Sequence, residues 1–320
     1  MKLPELRIGN LLARVPIIQG GMAVRLSLAP LAAAVANEGG IGLIAGTGLS
    51  LQELKAEIRK ARQLSNGIIG VNVMFAVREF AELVKTAIEE KIDLIVSGAG
   101  FSRDMFTWGR EAGIPVVPIV SSAKLARLSE KLGAAAVIVE GKEAGGHLGT
   151  QESMRKILPE VKQVVNIPVV GAGGVVDGTD IAEVFGLGAD GVQMGTRFAA
   201  SKECSAAQAF KDYLVKAGDK DVVLVKSPVG LPGRGIRNEF SERLLTGEDL
   251  RPQKCSGCLK HCAHNFCVME ALNNAQQGNI THGLVFSGER VRKITEVLSV
   301  KKIFENLLQE VEQIKQPRGV

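Results

Sequence analysis

A histidine set among glycines, EGKEAGGHLG (Glu140 to Gly149), is the most chemically suggestive segment of this chain. An imidazole changes charge near neutral pH, and neighbouring glycines leave room for a ligand beside it. His147 therefore reads as a catalytic group, with Glu140 and Gly146 at the same mouth. Two other segments, GAGGVVDG (Gly171 to Gly178) and GTRF (Gly195 to Phe198), offer backbone N–H groups without obstructing Cβ atoms. Gly173, Gly174, Gly195 and Thr196 are the expected phosphate-binding amides. A helix beginning near Asp177 would add its positive end. QGGM (Gln19 to Met22) completes the set: Gly20 and Gly21 admit a flat ring, and Met22 lays a soft thioether beside it. Asn72 and Ser97 close two apolar runs and are small polar partners for a pyrimidine edge or sugar-like hydroxyls.

A second cluster lies far downstream. CSGCLKHCAHNFC places Cys255, Cys258, Cys262 and Cys267 at C-x2-C-x3-C-x4-C spacing, with His261 and His264 between them. Four thiolates this close could ligate zinc or an iron–sulfur cluster. The alternative is a helix on which Cys258 and Cys262, four residues apart, pack as small apolar groups. Cys204 stands alone and reads as core.

These residues need a scaffold that brings distant loops to one end. The chain supplies eight short apolar runs: VPIIQ, IGLIA, IIGVNVMF, DLIVSGA, IPVVPIV, AAVIVE, IPVVGAG and ADGVQMG. All are nearly continuous in Val and Ile, as parallel strands buried on both faces must be. Between them lie amphipathic stretches such as LQELKAEIRKAR from Leu51 and VREFAELVKTAIEE from Val77. Glycines such as Gly113 and Gly133 stand where those helices should stop. Eight β/α units predict an α/β fold, a (β/α)8 TIM barrel whose active site forms on the loops after the strands. The eighth helix is missing after Arg197. SVKKIFENLLQEVEQIK supplies it, with Ile303, Leu307, Leu308, Val311 and Ile314 on one stripe. The barrel then spans 1–200 and 286–320, and 201–285 is an inserted cap subdomain carrying the cysteines.

Composition narrows the function classes. The 320 residues hold 37 glycines, one Trp, one Tyr and a formal charge of +5 without a basic run. That excludes an aromatic stacking platform for nucleic acid, so a small-molecule substrate is the expected partner. The apolar stretch Leu26 to Gly46 is broken by Glu38 and four glycines, which disfavours a membrane span. The charged start, MKLPELRIGN, lacks the apolar core of a signal peptide, and the expectation is a cytoplasmic protein. A homodimer is compatible with this reading.

The segments PIIQGGMA, GVNVMF, EGKEAGGHLG, VVGAGGVVDG and GVQMGTRF resemble the nitronate monooxygenase family, formerly the 2-nitropropane dioxygenases. That family includes type II enoyl-ACP reductase and NADH:quinone reductase relatives. The likeness covers roughly residues 5 to 225 and continues through the final helix. It implies FMN on a TIM barrel, the ring over QGGM and the phosphate on the Gly173–Gly174 and Gly195–Thr196 amides. It also implies that His147 is the active-site histidine and that Asn72, Glu140 and Gln193 lie near the flavin. The chain departs from the enoyl reductases, which read GGMAW, because Val24 and Arg25 follow GGMA here. The leading expectation is oxidation of alkyl nitronates with dioxygen. The alternative is reduction of an enoyl thioester or quinone with NAD(P)H as electron donor. A phosphate-binding barrel without redox chemistry is the third reading.

Overall fold

The computed structural model describes residues 1–314. A short hairpin, β1 (Leu6–Ile8) and β2 (Leu11–Ala13), precedes the barrel. Then come β3 (Ile17–Gln19), α1 (Ala29–Asn37), β4 (Ile41–Ala45), α2 (Leu51–Leu64), β5 (Ile68–Met74), α3 (Phe80–Glu89) and β6 (Leu94–Gly98). The alternation continues through α4 (Arg103–Ala112), β7 (Val116–Val120), α5 (Ala123–Leu132) and β8 (Val137–Glu140). After a two-residue strand, β9 (Gly146–His147), follow α6 (Met154–Lys162), β10 (Val169–Ala172), α7 (Gly178–Gly186) and β11 (Gly191–Met194).

All eight apolar runs are strands, and they close one parallel barrel in which β11 pairs with β3. The fold is the expected (β/α)8 barrel. Its interior is filled rather than hollow. Ile18, Ile41, Leu94, Val117, Ile138 and Val170 meet there, and Leu6 and Ile8 of the hairpin join the same cluster. Helix ends are set locally: Ser50 and Glu53 form a capping box at the start of α2, and Gly113 and Gly133 end α4 and α5 with positive φ. One boundary differs from the sequence expectation. α3 starts at Phe80, not Val77, because Val77 bridges to Leu259 and the Arg78 amide bonds the Cys258 carbonyl.

Beyond β11 the chain makes an excursion before closing the ring. It forms α8 (Thr196–Ala199), α9 (Gln208–Lys216), β12 (Val222–Lys226), β13 (Pro232–Ile236), α10 (Glu239–Leu245) and α11 (Val268–Gln276). The last helix, α12 (Val300–Gln313), packs against both α7 and α1, taking the missing eighth place. It buries Ile303, Phe304, Leu307 and Val311, each worth about 1.5–3 kcal/mol in removed apolar surface. α7 and α12 approach so closely that a Cβ at Gly178 would lie 2.4 Å from Glu310 Cβ. Among the described residues no helix is long and apolar enough to cross a membrane.

Candidate active site

Parallel register places the catalytic-end residues at one level. Ala172 pairs with Glu140 on one side and Gln193 on the other, and the Gly20 amide bonds the Met194 carbonyl at 2.9 Å. The ends of β3, β8, β10 and β11 therefore surround one cavity. Gly20, Gly21, Met22, Asn72, Glu140, Gly146, His147, Gly173, Gly174, Gln193, Gly195 and Thr196 all line it.

Ser97 does not reach this cavity. Its hydroxyl turns inward and donates to the Gly100 carbonyl at 3.0 Å, and the side chain is fully buried. Gly98 and Ala99 line the cavity in its place.

The glycines are required by close approach. A Cβ on Gly21 would lie 2.3 Å from Asn72 Cβ, and Asn72 Nδ2 donates to the Gly21 carbonyl at 2.9 Å. Gly173 and Gly174 take φ of +100° and +67°, conformations that side chains resist. Among the described residues the amides of Gly173, Gly174 and Gly195 find no protein acceptor. Nearby, α7 begins with an Asp177–Asp180 capping box, as the sequence suggested. Arg290 lines the cavity and pairs with Asp180, while Lys293 reaches Asp177 and Asp180 at 2.8 Å each.

The cavity also presents unsatisfied polar atoms. Asn72 Oδ1 and Gln193 Oε1 are buried without partners. Buried acceptors left unpaired are costly, so this wall is shaped for a ligand that donates to it. Glu140 has protein around it except toward the cavity, and burial pushes its carboxyl up to about 8. Acceptors for an imide N–H, unobstructed glycine backbone for a ring, and free amides for a phosphate are what a flavin mononucleotide needs. The residues present fit that cofactor.

His147 sits in β9, which pairs with β13 so that His147 lies opposite Gly233. Its Nε2 shares a 2.7 Å hydrogen bond with Ser227 Oγ, and its ring meets Phe286 edge-on at 5.1 Å. Burial lowers its pKa to about 4, so the imidazole is neutral at neutral pH.

Sequence reasoning overlooked Ser227 and the segment around Gly288. Ser287 N donates to Arg234 O at 3.2 Å, Gly288 N to Thr196 Oγ1 at 2.9 Å, and Glu289 N to Glu143 O at 3.0 Å. This strand-like strap ties the phosphate-side loop to the histidine loop. The glycine of FSGER was the one local signal for it.

The cysteines have a different fate. Among the described residues no group of three or more His, Cys, Asp or Glu side chains converges as a metal site. The expected helix is not there, because α11 begins at Val268, after Cys267, but Cys258 and Cys262 do pack as partly buried apolar groups against the core. Residues 255–266 instead run as an irregular strap. Lys260 N bonds Ala76 O and Ala263 N bonds Pro228 O, at 2.9 Å each. Those bonds tie the loop to the segments around Ala76 and Pro228 rather than winding it around a point. Cys255 is exposed, whereas Cys258 is partly buried, which raises its thiol pKa. Cys204 is core, its Sγ 3.4 Å from the Leu26 carbonyl.

Comparison with known proteins gives the family. A family model described as nitronate monooxygenase matches residues 6–96 and 75–310. The chain belongs to the nitronate monooxygenase family. It is a flavin-dependent oxidoreductase. A probable nitronate monooxygenase of Staphylococcus aureus is 30% identical over 349 residues, covering 94% of this chain and 95% of that protein. A (3aS,4S,5R,7aS)-5-hydroxy-7a-methyl-1-oxo-octahydro-1H-indene-4-carboxyl-CoA dehydrogenase of Mycobacterium tuberculosis is 34% identical over 239 residues, covering 74% of this chain and 67% of that one. Among solved structures, FabK from Thermotoga maritima superposes with a TM-score of 0.82 at 33% identity, covering 93% of each chain. A nitroalkane oxidase from Streptomyces ansochromogenes gives 0.81 at 25% identity, covering 93% of this chain and 96% of that one.

Proposed function

We propose that this family member is an FMN-dependent nitronate monooxygenase, oxidising alkyl nitronates with dioxygen. Bound FMN supplies reversible electron acceptance from the substrate and delivery to dioxygen. Gly173, Gly174, Gly195 and Thr196 would hold its phosphate through their amides. Asn72, Gln193 and Glu140 would hold its pyrimidine half, with Gly20, Gly21 and Met22 beside the ring. One monophosphate site, with no second dinucleotide fingerprint in the chain, favours FMN over FAD.

The observation that carries the substrate reading is the neutral, half-buried His147 next to Ser227. Ser227 Oγ accepts from the Val229 amide at 3.4 Å. With one lone pair taken by Val229, the hydroxyl can donate to His147 Nε2, which would place the imidazole proton on Nδ1. A neutral imidazole with one fixed N–H orients an anionic substrate oxygen without carrying a charge of its own into the cavity. Apolar groups, among them Met22, Met74, Ile119 and Phe286, exclude water around it.

Oxygen-electrode assays test this reading. Nitronate-dependent oxygen uptake with propyl nitronate supports it, and its absence with FMN-replete enzyme contradicts it.

A second reading has its own support: FabK from Thermotoga maritima is 33% identical over 93% of this chain, against 30% over 94% for the nitronate monooxygenase. On this reading NAD(P)H is the electron donor, and an enoyl thioester or quinone is reduced. Val268, Met269 and Leu272 of α11 would then flank an acyl chain.

A further inference from the structure

Glu140 is the one carboxylate among the residues lining the cavity, and it ends β8 with no hydrogen-bond partner among the described residues. A carboxyl group left alone in such a place is either charged at high cost or neutral and able to donate. Asn72 Oδ1 and Gln193 Oε1 are acceptors without donors in the same cavity. Asn72 Nδ2 is already spent on the Gly21 carbonyl. Among the described residues Gln193 Nε2 is the side-chain donor left free on this wall, and a neutral Glu140 adds a second beside the two unpartnered acceptors.

We propose that Glu140 is a proton-linked cofactor anchor: its neutral carboxyl donates an O–H hydrogen bond to an acceptor atom of the bound flavin. Flavin binding to a cavity with Glu140 ionised must then take up one proton from solvent. This rests on the FMN reading above and adds a regulated step to it, because alkaline conditions release the cofactor.

The surroundings leave Glu140 as the titrating group. The other ionisable residues lining the cavity are His147, which bonds Ser227, and Arg290, which is held by Asp180. The neighbouring strands β7 and β10 carry no charged residue. In the following loop Lys142 is exposed, and Glu143 is held by Ser153 Oγ and the Met154 amide. Among the described residues the one cation lining the cavity is Arg290, which is held by Asp180, and burial pushes Glu140 up to about 8. The sign follows: affinity is full below that value and lost as pH rises above it. The FMN phosphate completes its own ionisation near pH ~6, outside this window.

The test dilutes the holoenzyme and reads free FMN fluorescence between about pH 7 and about pH 9.5, giving an apparent Kd at each pH. For the native chain Kd should be flat up to about 8 and then rise by as much as tenfold per pH unit. Glu140→Gln keeps a donor and cannot ionise, so its Kd should stay flat. Parallel curves for the two proteins, both flat or both rising, would overturn the proposal while leaving the FMN reading intact. Failure to bind FMN at any pH overturns both. If Glu140→Gln does not fold, infrared difference spectra of the native chain at alkaline pH decide. FMN binding should produce the carbonyl band of a protonated carboxyl, and its absence would count against the anchor.

Discussion

His147 and Ser227 share a 2.7 Å hydrogen bond although 80 positions separate them in sequence. The contact exists because β9, two residues long, pairs with β13, and Ser227 follows β12 directly. The excursion beyond the barrel thus fixes the orientation of a side chain that the barrel supplies. Ser227→Ala should lower kcat by about tenfold, the scale of one net hydrogen bond, without changing FMN content. Ser227→Thr, which keeps the hydroxyl, should restore most of it. Equal loss in both variants would make the residue a packing element instead.

Removing the imidazole tests the next layer. His147→Ala should retain flavin but lose turnover by about 10²-fold, the usual scale for a group acting on the reacting atoms. Turnover within a few-fold of native would make His147 architectural. Steady-state kinetics alongside the flavin absorbance ratio separates the two.

The pH profile carries a signature of burial. An exposed histidine would give an inflection near pH ~6.5. Here burial lowers His147 to about 4, so the neutral form persists above that value and activity that depends on it falls only as pH drops through about 4. An inflection between pH ~6 and ~7 that disappears in His147→Ala would contradict this assignment.

Gly21→Ala probes the cavity floor. The added Cβ would stand 2.3 Å from Asn72 Cβ, so Asn72 must move and its bond to the Gly21 carbonyl must break. FMN affinity should weaken by at least tenfold, consistent with losing about 1.4 kcal/mol or more of polar contact. Unchanged affinity by fluorescence titration would show that Asn72 does not face the cofactor.

The barrel was readable because its strands are buried on both faces, so they appear as uninterrupted Val/Ile runs such as IGLIA and AAVIVE. The closing helix was readable from the stripe through Ile303, Leu307 and Val311. Glycine loops were legible for a similar reason: Gly21 and Gly173 occupy places where a Cβ is sterically barred. Ser97 misled because alternation along a strand decides which side chain faces the mouth, and its hydroxyl satisfies itself on Gly100. Ser227 and the Gly288 strap gave little local signal, since each acquires its role only when β13 pairs with β9 and with the segment around Phe286. The cysteine spacing likewise carried no information about the hydrogen bonds from 260 and 263 that tie the loop to Ala76 and Pro228.

The central claim, electron transfer from a nitronate to a flavin in this cavity, is tested most directly by anaerobic rapid mixing. The FMN-replete enzyme is mixed with propyl nitronate, and separately with NADH, while the flavin absorbance is followed. The account predicts bleaching by propyl nitronate and recovery of colour when air is admitted. Bleaching within seconds by NADH, with none by propyl nitronate, would contradict it and establish the reductase reading.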